Sequence, residues 1–138
     1  MESRLAAALA AVLLLGGCAM RIPAAAPLLP LEPPRPPGLA AVALTAEEFG
    51  VLMIDRGCVR VRALRGGALR TVLWLKGTLV DHDAHGYFLR REDGERRYRV
   101  GEPIQFGGGG LGDIAPAGTD PEVVQRCGPP YHQGYLSR

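Results

Sequence analysis

Four side chains able to hold a divalent cation fall within five residues, at Asp81-His82-Asp83-Ala84-His85. Imidazole nitrogen and carboxylate oxygen suit zinc or a similar ion, and His132 supplies a third imidazole much later in the chain. Asp81, His82 and His85 are therefore the candidate metal ligands. A solvated turn between two strands uses the same residue types, and the turn is the preferred reading. A second group is cationic. Arg90, Arg91, Arg96, Arg97 and Arg99 lie close together, and Arg97 and Arg99 are the candidates for gripping a phosphate or an anionic glycan. Glu92, Asp93 and Glu95 offset them, which favours a charged hairpin surface. Trp74 and Tyr131 are candidate ligand-stacking rings of the kind that OB-like barrels use, with closure of one end of the core as the preferred alternative. Gly107–Gly110 has the look of a phosphate loop but lacks the Gly-Lys-Ser/Thr that would follow it, so a flexible loop or bulge is expected. Ser3 and Ser137 are the only serines, one near each end of the sequence, which leaves nucleophilic catalysis by serine without an obvious player. The catalytic routes left are metal-assisted hydrolysis around His82 and His85, or a carboxylate pair of the glycosidase kind. No motif implies a cofactor, and the expectation is a protein that is not an enzyme.

The N-terminus carries a different chemistry. Met1-Glu2-Ser3-Arg4 precedes Leu5–Leu15, eleven residues of Leu, Ala and Val. That run is too short for a helix spanning the bilayer, which needs about 20 apolar residues. A basic start, a short apolar centre and small residues at the end describe a secretory signal. Leu15-Gly16-Gly17-Cys18 resembles the lipobox of bacterial lipoproteins. The resemblance implies cleavage before Cys18, a diacylglyceryl thioether on its sulfur, and two or three acyl chains in all. Two chains are enough for stable anchoring, since each buried methylene contributes about 0.8 kcal/mol. Ala19, rather than Asp, follows the cysteine, which in a host with two membranes implies the outer membrane, on its periplasmic face. In a host with one membrane the address is the cell membrane.

Committing Cys18 to lipid leaves Cys58 and Cys127. In an oxidising compartment this pair is expected to form a disulfide. Residues 1–17 read as signal peptide, 18–41 as a lipidated, proline-rich tether, and 42–138 as one small domain. Seven of the twelve prolines lie between Pro23 and Pro37, where neither helix nor sheet propagates. As extended polyproline II, such a spacer would reach roughly 70 Å. The formal charge of +2 is too slight to point to nucleic acid.

From Val42 onward, short runs rich in Val, Leu and Ile alternate with glycine-bearing turns. Thr45-Ala46-Glu47-Glu48 has capping-box spacing and predicts one short helical turn. Strands are expected at Val51–Asp55, Cys58–Leu64, Leu69–Leu75 and Thr78–Asp81. Tyr87–Arg91 and Arg96–Val100 form the clearest hairpin, with Asp93-Gly94 as a two-residue type I′ turn. That turn pairs Leu89 with Tyr98, and puts Tyr87, Leu89, Tyr98 and Val100 on one face. Phe88, Arg90, Arg97 and Arg99 take the other face. The fold class expected is all-β: a five- or six-stranded barrel, OB-like or SH3-like, with an irregular C-terminal tail. Gly57-Cys58, Trp74, Val100-Gly101-Glu102, the glycine run and Cys127-Gly128-Pro129 together resemble small exported bacterial domains with no assigned activity. The expected role is a lipid-anchored, non-catalytic module that binds an envelope protein or a wall glycan. The alternative is a small metal-binding protein or metal-dependent hydrolase built on Asp81–His85.

Overall fold

The structure, a computed structural model, describes residues 25–38 and 44–137. The expected signal peptide and Cys18 lie outside them. In chain order the elements are β1 (Ala46–Asp55), β2 (Cys58–Ala63), β3 (Leu69–Trp74), β4 (Thr78–Asp83), β5 (Gly86–Arg91), β6 (Tyr98–Arg99), β7 (Pro103–Gly112), α1 (Pro121–Arg126) and β8 (Tyr131–Tyr135). Five strands close a barrel in the order β1-β2-β3-β8-β7, and β4-β5-β6 form a separate three-stranded sheet. β3 and β8 run parallel, and the other barrel pairs are antiparallel. This is the expected small barrel, in the OB-like order.

Period-2 alternation fills the barrel. Leu52, Val59, Val61, Val72, Trp74, Ile104 and Phe106 point inward and share one core with Leu89, Tyr98 and Leu136. Leu89 and Tyr98 belong to the second sheet, so that sheet packs on the barrel core. Backbone bonds between Leu52 and the segment Gly101–Glu102 fix it there. A second cluster lies outside the barrel wall, where Leu73 and Tyr131 meet Val123 of α1 and the Cys58–Cys127 pair. Those two cysteines are bonded, as cysteine parity predicts, with Cα atoms 5.6 Å apart.

Several expectations are corrected. The tether does not extend to residue 41 as a free spacer. β2 and β3 pair only at Val61–Arg70 and Arg62–Leu69, and the gap between Cys58 and Trp74 is filled by residues 28–32. Leu28 bonds Gly57 and Val59, while Pro30 and Glu32 bond Trp74, all through backbone atoms at 2.8 to 3.0 Å. Leu29 packs on the barrel core and Leu28 on the outer cluster. Proline is tolerated here because Pro30 contributes its carbonyl, the one backbone hydrogen-bonding group it retains.

No helical turn starts at Thr45, because Ala46 already pairs with Gly108 in β1. The tail is not irregular. Asp120 caps α1 by accepting from the Glu122 N–H at 2.9 Å, Pro121 starts the helix, and β8 closes the barrel. The glycine run continues β7, with a register shift only between Gly110 and Gly112. Its lack of side chains has a steric cause. The Tyr135 ring lies over Gly107, and a Cβ there would collide with it.

The β5–β6 register is as expected at Leu89–Tyr98, but the turn differs. Neither Asp93 nor Gly94 takes positive φ. The chain instead turns over Arg91–Gly94, with the Gly94 N–H donating to the Arg91 carbonyl at 3.2 Å. The Arg91 guanidinium holds Asp93 in a fork of 2.7 and 2.6 Å, and the Glu92 N–H donates to the Gly77 carbonyl, which carries the β4–β5 pairing one step beyond Thr78–Arg91. The two-residue turn with positive φ at both centres is at Arg56 (φ 50) and Gly57 (φ 73), between β1 and β2.

Candidate functional site

The Asp81–His85 segment is the end of the β4–β5 hairpin, with Asp83 opposite Gly86. Its two carboxylates already have partners. Asp81 accepts from Arg90 at 3.3 Å and from the His82 N–H at 2.8 Å. Asp83 accepts from Arg99 at 2.9 and 2.7 Å, from Arg97 at 2.8 Å and from the His85 N–H at 2.8 Å. The Arg99 fork, with the His85 amide next, holds the Asp83 carboxyl well below the usual carboxylate range. For Asp81 the His82 amide comes first and Arg90 second, again downward. Arg97 and Arg99 also lie over the Phe88 ring, at 4.7 and 5.5 Å from its centroid. That explains how an aromatic ring on the arginine face is only 3 % exposed. The candidate anion-binding arginines are thus turned onto Asp83 and Phe88.

His132 does not join this hairpin. It pairs with Val72 on β8 and faces the barrel interior, and among the described residues no three metal-ligating side chains gather. His132 Nδ1 lies 3.5 Å from a Glu48 oxygen, while Arg70 donates to the other oxygen of Glu48 at 2.5 Å. Burial, then the positive Arg70, lowers the His132 pKa against the opposing pull of Glu48. These three side chains close the barrel mouth at the β2–β3 turn.

The stacking reading of Trp74 and Tyr131 also fails. Trp74 is 0 % exposed and packs 5.1 Å from the Phe106 ring, and Tyr131 is 1 % exposed in the outer cluster. OB-like barrels commonly present the face of their second and third strands, together with the loops after the first and fourth, to a ligand. Here α1, the disulfide and residues 28–32 cover that region.

One concave surface was not visible in the sequence. A cleft of about 870 Å³ runs between residues 29–35, α1 and β8. Leu29, Leu31, Pro33, Pro34, Val123 and Tyr135 form apolar walls, and Leu31 is 41 % exposed. Gln133 lies in the wall. Its Nε2 donates to Glu32, and its Oε1 accepts from the Leu44 N–H at 2.9 Å. Arg35 donates to the other Glu32 oxygen at 2.9 Å. Lys76 lines the same cleft, is exposed, and has no carboxylate partner among the described residues. Volume, apolar walls and few polar groups are the attributes of a ligand site. No sequence pattern could announce it, because its two walls are some 90 residues apart and one of them reads as a spacer. Comparison with protein-family models, curated proteins and solved structures finds no match.

Proposed function

We propose that the chain is a lipid-anchored, non-catalytic module of the bacterial envelope that binds a partner in the cleft beside residues 29–35. The lipobox-like Leu15-Gly16-Gly17-Cys18 supports the anchor, and Ala19 supports an outer-membrane address facing the periplasm. The cleft carries the binding role. Its walls are leucine, proline and valine with a single aromatic ring, which suits an extended apolar peptide segment of an envelope protein. A wall glycan would call for more hydrogen-bond donors and flat rings. Lys76, lacking a carboxylate partner, suits an acidic group on that segment. No nucleic acid and no cofactor enter this reading.

The test is photo-cross-linking in intact cells. A photoreactive side chain at position 31 is expected to trap one envelope protein, and Lys76→Glu to abolish the adduct. The same chemistry at position 114, where Ile114 is 85 % exposed away from the cleft lining, serves as control. Finding no adduct at 31, or the same adducts at 31 and 114, would refute the binding role. Retention of metabolic lipid label by Cys18→Ala would refute the anchor.

A further inference from the structure

The outward face of β1 is apolar where a solvated antiparallel strand alternates with polar residues. Leu52 fills the barrel core, so Phe49, Val51 and Met53 point outward by the period of two. Phe49 is 46 % exposed, and Leu64, which opens the turn after β2, is 59 % exposed. Arg62 stands opposite Val51 on the same face, and Arg65 follows in the turn. Neither meets a carboxylate among the described residues, unlike the arginines of the second sheet, which Asp81, Asp83 and Asp93 hold. The acids at the two ends of this face are already engaged: Glu47 accepts from the Gln105 amide at 3.2 Å, and Asp55 pairs with Arg60 at 3.2 Å and with Arg56 at 3.6 Å.

Chain length supplies the second argument, and it rests on the lipid anchor proposed above. Because Leu28 is bonded into the barrel wall, only nine residues, Ala19 to Pro27, separate the wall from Cys18. Fully extended they span about 30 Å, little more than the roughly 20 Å that β2 occupies from Cys58 to Leu64. An anchored barrel therefore stays within about its own width of the headgroups.

We infer that the β1 face, with Phe49, Val51, Met53 and Leu64 and with Arg62 and Arg65 beside them, lies on an anionic lipid surface. The apolar tips enter the interface, and the two guanidiniums take phosphate oxygens. A bilayer satisfies both the apolar strip and the unpaired cations, and the short leash holds it within reach.

The experiment uses the mature lipidated protein in vesicles of phosphatidylethanolamine and phosphatidylglycerol. A fluorophore is attached at Leu64→Cys or, as control, at Arg97→Cys, and a lipid-phase quencher is added. The position-64 label is expected to be quenched and the position-97 label not. Arg62→Glu or Arg65→Glu should each lower the face-on equilibrium about fivefold, as should vesicles of phosphatidylcholine alone. Equal quenching at 64 and 97, or none at 64 while the protein still floats with the vesicles, would overturn the inference and leave the anchor intact. Protein that does not float would overturn the anchor itself. A position-64 label shielded from both lipid-phase quencher and aqueous iodide would mean that a protein covers the face, and would also overturn the bilayer reading.

Discussion

Glu48 has two oxygens and two cationic claimants, and geometry ranks them. Arg70 takes one oxygen at 2.5 Å, whereas His132 stays 3.5 Å from the other with no hydrogen bond at Nδ1. The imidazole therefore sits partly buried beside a carboxylate that Arg70 has largely neutralised, and its pKa falls below the usual histidine value. A histidine with a depressed folded pKa binds fewer protons in the native state than in the unfolded chain. Stability then rises with pH across the window between the two values. The melting temperature is expected to be flat above pH of about 6.5 and to fall as pH drops below it. His132→Gln should remove that part of the fall, which melting curves across a pH series would show. Asp83 behaves separately. Its contribution is present above the unfolded carboxylate value of about 4 and disappears only as pH falls through its depressed folded value.

Between elements, close approach decides several positions. Gly134 faces Trp74 across the parallel β3–β8 pair, and a Cβ there would run into Val72 Cγ1 and come within 3.2 Å of the Trp74 ring. Gly134→Ala is expected to cost about 1–3 kcal/mol as overpacking, measurable by urea unfolding with an unchanged m-value. This parallel contact also marks where the sequence stops being legible. Strand periodicity, glycine turns and cysteine parity are local or countable, so the first three barrel strands, the Leu89–Tyr98 register and the disulfide could be read. β8 could not, because Tyr131-His132-Gln133-Gly134-Tyr135 is short and its partner lies 60 residues earlier. Gly107–Gly109 carries no strand signal because Tyr135, the Gln133 backbone and Leu44 fill the space that its own side chains would take. Residues 28–32 read as spacer because composition reports what proline prevents locally, not which strand lacks a neighbour. The cleft was illegible for the same reason, since its near wall is that segment. The arginine cluster was seen with Glu92, Asp93 and Glu95 as its counter-charges, whereas Arg97 and Arg99 are held by Asp83, which lies 14 and 16 residues earlier.

For the whole molecule, the Cys58–Cys127 bond closes a loop with a sequence separation of 69, and the chain-entropy model credits such a closure with about 4 kcal/mol. A variant carrying both Cys58→Ser and Cys127→Ser is expected to lose stability of that order in denaturant unfolding, and an unchanged midpoint would refute it. The bond also ties the start of β2 to the end of α1, so it pins the outer cluster against the barrel. Residues 28–32 give this arrangement a mechanical meaning. A pull arriving from the N-terminal side meets the wall at Leu28, whose backbone is bonded to Gly57 and Val59 on either side of Cys58. The load passes at once into β2, across the disulfide into α1, and through Pro30 and Glu32 into β3. Force applied from the N-terminal side is therefore shared among β2, β3 and α1, and the domain resists being unravelled from that end.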